Sequence, residues 1–167
     1  YESVVYEGYG TNGVAVIVET LTDNKNRPAG DVRHIFDKFG GSMGTNGCVS
    51  YLFDSKGVIL IEKKPGMDDD EMMMTALDAG AEDFNVDEDA YEILTSPADF
   101  ATVCDNLRNL GYEFASSQID RIPQMTVPLA DAAAEKFIKM IDMFEENDDV
   151  QNVFHNADLP ETDEEEE

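Results

Sequence analysis

Few side chains in this sequence have both the type and the spacing for chemistry. Nucleophilic catalysis needs a nucleophile held by a base. The only candidates are Cys48 with one of the two histidines, His34 or His155, and no spacing ties them together. A GxSxG elbow and a GxxxxGK[ST] phosphate loop are absent. Gly8, Gly10 and Gly13 fit GxGxxG by spacing, but a β-branched run follows them. A dinucleotide loop must open a helix, whose N-terminus receives the pyrophosphate, so these glycines read as a hairpin turn. Asp68-Asp69-Asp70-Glu71 lacks the alternating ligand spacing of a calcium loop and reads as acidic charge at a helix N-terminus. Cys48 and Cys104 form no CxxC. The expectation is two buried, reduced thiols, with a redox pair as the alternative.

One segment reads as a binding element. Asn24-Lys25-Asn26-Arg27 places two cations and two amides beside a helix start, and Arg33 and Lys38 follow along that helix. Helix N-terminus, amides and cations together suit a phosphate contact. The same loop also reads as an ordinary solvated one. No aromatic-plus-basic strand of the RNP type is evident, so base stacking is not expected.

The elements that must position these residues follow from periodicity. Val4–Tyr6 and Val14–Val18 are β-branched strands around a Gly/Asn turn. Val32, Ile35, Phe36 and Phe39 form one helical stripe behind Pro28, and Gly40-Gly41 ends it. Cys48–Phe53 reads as a strand. From Gly57 the pattern is β-α-β-β-α-β: Val58–Ile61, a helix through Met72, Met73, Ala76 and Leu77 stopping at Gly80, and Ala81–Val86. Tyr91–Leu94 follows, then a helix opened by Ser96-Pro97 with the stripe Phe100, Val103, Cys104 and Leu107, and a strand within Ser116–Val127. Of Met72, Met73 and Met74, at least one must face solvent. A helix through Ala133, Phe137, Met140, Ile141 and Phe144 and a strand at Val150–His155 come last. Two elements cannot bury a core alone, so they return to the first unit. The fold class is α+β: two small ferredoxin-like α/β domains, the second inserted into the first. The first spans 1–56 and 129–157, the insert 57–128, and 158–167 an acidic disordered tail.

The 167 residues are 42% hydrophobic with a net charge of −26, unevenly spread. Residues 1–57 hold five Lys/Arg against seven acids, and the remainder six against thirty. Bare nucleic acid would be repelled by the second part, so only the first can approach a phosphate backbone. No apolar run reaches membrane-spanning length. The start, Tyr1-Glu2-Ser3, lacks an initiator Met and any signal-peptide pattern. It reads as a fragment of a soluble, intracellular protein that works by binding.

Certain stretches carry a resemblance. Tyr6–Gly10, Gly13–Ala15, Thr22–Arg27, Asp31–His34 and Gly40–Phe53 together resemble the YebC/PmpR family. So do Ala79–Asp83, Ile122–Gln124 and Asp148–Asn156. The resemblance implies three domains: a basic helical N-terminal one, with a GHSKW-like segment not found in these residues, then the two α/β domains. It implies a non-enzymatic regulator of gene expression, binding DNA as a transcriptional regulator or acting on the ribosome and its RNA as a translational activator. The main contact would lie in the N-terminal domain, and the place of work would be the cytoplasm, or the mitochondrion in a eukaryote. No cofactor and no metal are implied. Thr11-Asn12 stands where the family has Pro-Gly, and Pro28 and Gly30 where Thr and Ala are common. An alternative is an acidic protein-protein interaction module without nucleic-acid contact.

Overall fold

The computed structural model describes residues 1–160, and the protein divides into two compact units. Unit 1 joins Tyr1–Asp54 to the chain from Pro123 onward, and unit 2 is Ser55–Ile122. The class is α+β. No helix among the described residues is long and apolar enough to cross a membrane.

Unit 1 begins with a hairpin, β1 (Glu2–Tyr9) and β2 (Ala15–Thr22), paired antiparallel from Glu2↔Thr22 to Tyr9↔Ala15. The Gly10–Gly13 segment turns the chain, with Asn12 at φ 56°, a conformation Asn tolerates. Then follow α1 (Asn26–Lys38) and the short β3 (Ser42–Met43), which pairs with Gly8 and Tyr9 of β1. At Gly8 a Cβ would lie 2.5 Å from the Ser42 carbonyl oxygen and 2.9 Å from the Phe36 ring. Glycine there lets both β3 and α1 close on β1.

Unit 2 is entered through β4 (Phe53–Glu62). It continues with α2 (Asp69–Ala79), β5 (Asp83–Val86), β6 (Ala90–Thr95), α3 (Phe100–Asn109) and β7 (Ser116–Pro123). Its sheet order is β5-β6-β4-β7, the split βαβ arrangement expected from the element order. Ile59, Ile61, Tyr91 and Ile93 alternate along β4 and β6 and bury one face against Met72, Ala76, Val103 and Leu107 of the helices. The Asp68 carboxylate caps α2 by accepting from the Glu71 N–H, and Gly80, at φ 113°, stops it.

Unit 1 is completed by β8 (Val127–Pro128), α4 (Asp131–Glu146), β9 (Val150–His155) and β10 (Ala157–Asp158). Its main sheet runs β3-β1-β2-β9, and β8 pairs with β10 in parallel. The connectivity is ββαβ, the insertion, then αβ. In β2 the period of two works on both faces. Val16 and Val18, with Val14 just ahead, pack under Phe36 of α1 and Phe137, Met140 and Phe144 of α4. Ala15 and Ile17 point the other way onto Val49 and Phe53.

Several expectations are corrected. Cys48–Phe53 is not a strand: Ser50–Leu52 is a 3-10 turn, and β4 runs unbroken from Phe53 to Glu62. The reason is Glu7, whose carboxylate takes the backbone N–H groups of Gly47, Val49 and Ser50 away from any ladder. Ser96-Pro97 does not open α3 directly. The Ser96 hydroxyl accepts from the Asp99 N–H in a turn, and the helix starts at Phe100. Met73 and Leu77 leave the core stripe of α2, which is Met72, Ala76 and Ala79. The last segment of the expected insert, from Pro123, sits in unit 1. Asp158 pairs with Pro128, and Leu159 packs against the unit 1 core, so these first two residues of the expected tail belong to the fold. Residues 161–167 of that tail lie outside the described residues.

Candidate nucleic-acid interface

The Asn24–Arg27 segment is less of a loop than expected, because Asn26 and Arg27 already form the first turn of α1, and its own polar groups close it. The Thr22 hydroxyl accepts from the Asn24 N–H at 3.1 Å, the Asn24 side-chain oxygen from the Asn26 N–H at 3.2 Å, and the Lys25 carbonyl from the Tyr6 hydroxyl at 3.3 Å. These bonds aim the chain into α1, and Pro28 is buried in its first turn.

Arg27 has a specific partner 122 residues away. Its Nε and Nη2 donate to the two oxygens of Asp149 at 2.9 and 2.8 Å, and Nη2 also reaches Asp23 at 3.0 Å. This is the two-pronged pairing that a planar guanidinium makes with a carboxylate. Hydrogen bonding from Arg27 holds the Asp149 carboxyl below its ordinary value, and hydrogen bonding to Asp149 and Asp23 raises the guanidinium further. The Asp149 carbonyl accepts from the Leu21 N–H at 2.8 Å. Arg27 therefore fastens the start of α1 to the seam between β2 and β9.

The other cations of the predicted set are exposed. Lys25, Arg33 and Lys38 pair with no carboxylate among the described residues. Lys38 Nζ lies 5.7 Å from the centroid of the Phe39 ring. Asn24, just ahead of α1, and Asn26, its first residue, are exposed, and Arg33 and Lys38 lie further along the helix. The surface is mixed, because Asp31 and Asp37 share it, and Asp31 accepts from the Asn147 side chain.

Two cations were missed by the sequence reading. Lys136 and Lys139 are exposed on α4, which packs beside α1 through an edge-to-face contact of Phe36 and Phe144 at 5.2 Å. The Lys136 ammonium sits where a Gly40 Cβ would come within 2.9 Å of it, at the electronegative C-terminal end of α1. Their i, i+3 spacing, off the Phe137–Met140–Phe144 stripe, was the available signal.

Beneath this layer, on the opposite face of the sheet, Glu7 is only 5% exposed. Burial pushes its carboxyl up, but the N–H donors of Gly47, Val49 and Ser50 outweigh that and hold it below its ordinary value. Tyr9 adds a bond from its hydroxyl to the Cys48 carbonyl at 3.2 Å. Burial, then the nearby Glu7 charge, raises the Cys48 thiol, the reverse of an activated nucleophile. His155 packs edge-on to Phe137 at 4.9 Å, and its Nδ1 accepts from the Ala157 N–H. Burial lowers its pKa, disfavouring the charged imidazolium. No hydrogen bond joins Cys48 to a histidine, and no metal-binding cluster occurs, among the described residues.

A family described as the TACO1/YebC second and third domain matches residues 1–157. The chain belongs to the TACO1/YebC family. Similar proteins include two named probable transcriptional regulatory proteins. One, from Acetivibrio thermocellus, is 57% identical over 157 residues, covering 93% of this chain and 65% of the relative. The other, from Clostridioides difficile, is also 57% identical, covering 93% and 66%. A crystal structure of a conserved hypothetical protein from Aquifex aeolicus superposes with a TM-score of 0.85 at 43% identity, covering 96% of this chain and 66% of that one. The TACO1/YebC chain described here thus spans just under two thirds of the length of these relatives.

Proposed function

We propose that this TACO1/YebC chain is a non-catalytic regulator of gene expression that works in the cytoplasm by docking on a nucleic-acid phosphate backbone, in DNA or in the ribosome. The observation that carries the reading is the helical layer of unit 1. Arg33 and Lys38 of α1 and Lys136 and Lys139 of α4 are exposed there without carboxylate partners among the described residues. The names of the relatives support the regulatory half of the reading. Lys25 and the Asn24 and Asn26 amides extend the surface at the other end of α1. Arg27 contributes by holding that end in place.

The test is binding to ribosomes and to duplex DNA across a salt series. Each lost phosphate contact flattens the log–log salt slope by about one. Arg33→Ala with Lys38→Ala should therefore flatten it by about two. At about 150 mM salt, where the Debye length is about 8 Å, the chain's −26 charge should prevent retention on bare DNA. Retention on ribosomes under the same conditions assigns the target to translation. A slope unchanged in the double variant on both targets sinks the proposal.

A further inference from the structure

The outer face of α2 carries an apolar stripe that the fold does not use. Met72, Ala76 and Ala79 fill the core of unit 2, which leaves Met73, Met74 and Leu77 facing outward at 40%, 64% and 46% exposure. Single exposed apolar residues are ordinary, but these share one face, since Asp70, Met73, Met74 and Leu77 stand at i, i+3, i+4 and i+7. Beside the stripe, on the Asp78 side of α2, a groove toward α3 is lined by Thr75, Asp78 and Leu110, the last 63% exposed.

The stripe is bordered by acid. Asp70 heads it, and Glu71 and Asp78 line its other side. All three carboxylates are exposed and have no cationic partner among the described residues. Asp69 is different: it accepts from the Tyr91 hydroxyl at 2.7 Å and lies 3.6 Å from Lys63. Asp68 is spent on the helix cap. Unit 2 as a whole holds five Lys/Arg against sixteen Asp/Glu.

This combination selects the occupant. A second copy would set Asp70, Glu71 and Asp78 against like charge, and nucleic acid or an anionic membrane would be repelled. We propose that the outer face of α2 docks a basic amphipathic helix of a partner protein. The helix lays its apolar side on Met73, Met74 and Leu77 and its Lys or Arg side chains against Asp70, Glu71 and Asp78. Unbranched methionines adapt to a range of apolar surfaces, and the free carboxylates fix orientation and speed encounter.

The test uses the whole chain and a fluorescent Leu/Lys amphipathic peptide of about 18 residues, long enough to hold a helix. A Ser/Lys peptide of equal charge is the control, and binding is read by anisotropy at about 150 mM salt. The Leu/Lys peptide should bind at least about tenfold tighter than the control. Met74→Glu with Leu77→Glu should abolish that preference, and the milder Met74→Ser with Leu77→Ser should reduce it with an unchanged melting temperature. Asp70→Asn with Asp78→Asn should weaken binding and flatten its salt dependence. Equal affinity for the two peptides, or a preference that survives the double Glu substitution, overturns the proposal. So does a dimer in sedimentation that the double Glu variant abolishes, since the face would then belong to a second copy.

Discussion

Replacing Glu7 by Gln removes the charge that organises the loop between β3 and β4 while keeping nearly the same shape. In the native protein one carboxylate oxygen accepts from Val49 and Ser50 at 3.0 and 2.7 Å, and the other from Gly47 at 2.7 Å. In Glu7→Gln the amide oxygen can keep the first two as neutral bonds, while the amide NH2 meets the Gly47 N–H donor to donor. Charge-assisted bonds contribute about 1.5–3 kcal/mol each and neutral ones about 1, so one bond is lost and two are weakened. Relief from desolvating a buried charge returns part of this, leaving a destabilisation of about 2–3 kcal/mol. That is a large share of a domain stability of about 5–15 kcal/mol and lowers Tm by about 5–10 °C. Far-UV circular dichroism melts measure the loss, and hydrogen exchange at Gly47, Val49 and Ser50 should locate it. The sign with pH is fixed. The folded Glu7 carboxyl lies below its ordinary 4.5, so its contribution is complete above that pH and is lost as pH falls through the folded value. The gap between wild type and Glu7→Gln should close in acid. A variant melting within about 1 °C of wild type at pH 7, or a gap that persists in acid, refutes the reasoning.

Arg27→Lys should lower Tm almost as much as Arg27→Ala, because an ammonium cannot span both Asp149 oxygens; thermal melts of both variants decide this. The Asp149 carboxyl is likewise held low, so the Arg27–Asp149 contribution is present above the ordinary carboxylate range and should fade as pH drops through the folded value. Gly30 lies within α1 with nothing near a Cβ built on it, so Gly30→Ala should stabilise by about 0.5–1 kcal/mol, read as a rise in the denaturant midpoint. Cys48 should react with iodoacetamide at pH 7.5 more slowly than a free cysteine, and faster once Glu7→Gln removes the neighbouring charge; mass spectrometry of the alkylated chain follows both rates.

What could be read from the sequence was what neighbours decide. The insert's β-α-β-β-α-β order was legible because each element signals itself: the Asp68 cap, Gly80 in the left-handed conformation, and the alternation Ile59, Ile61 against Tyr91, Ile93. The helical stripes of α1 and α4 were legible from their 3.6-residue period. Distant partners overrode local signals elsewhere. Cys48–Phe53 has strand composition, but a carboxylate about forty residues earlier captures its amides. Arg27 looks like a free loop cation until Asp149, 122 residues later, meets it. Lys136 and Lys139 gained meaning only when α4 came to lie beside α1. The part of the candidate surface on α1 was thus visible in outline, and the half supplied by the returning helix was not.

The position of β9 has a consequence for biosynthesis. It completes the unit 1 sheet by pairing Val16 with His155 and Val18 with Val153, yet it is translated after the whole of unit 2. A ribosome that has made α1 and β3 has released a hairpin whose Val14, Val16 and Val18 still lack the cover of α4. Unit 2, built from nearer contacts, can condense first, and closing the long loop between β2 and β9 comes last. Until then the β2 edge is open to pairing with another nascent chain. Arrest-peptide force profiles should therefore show the unit 2 transition at a shorter chain length than the unit 1 transition, which appears only after His155 has left the exit tunnel.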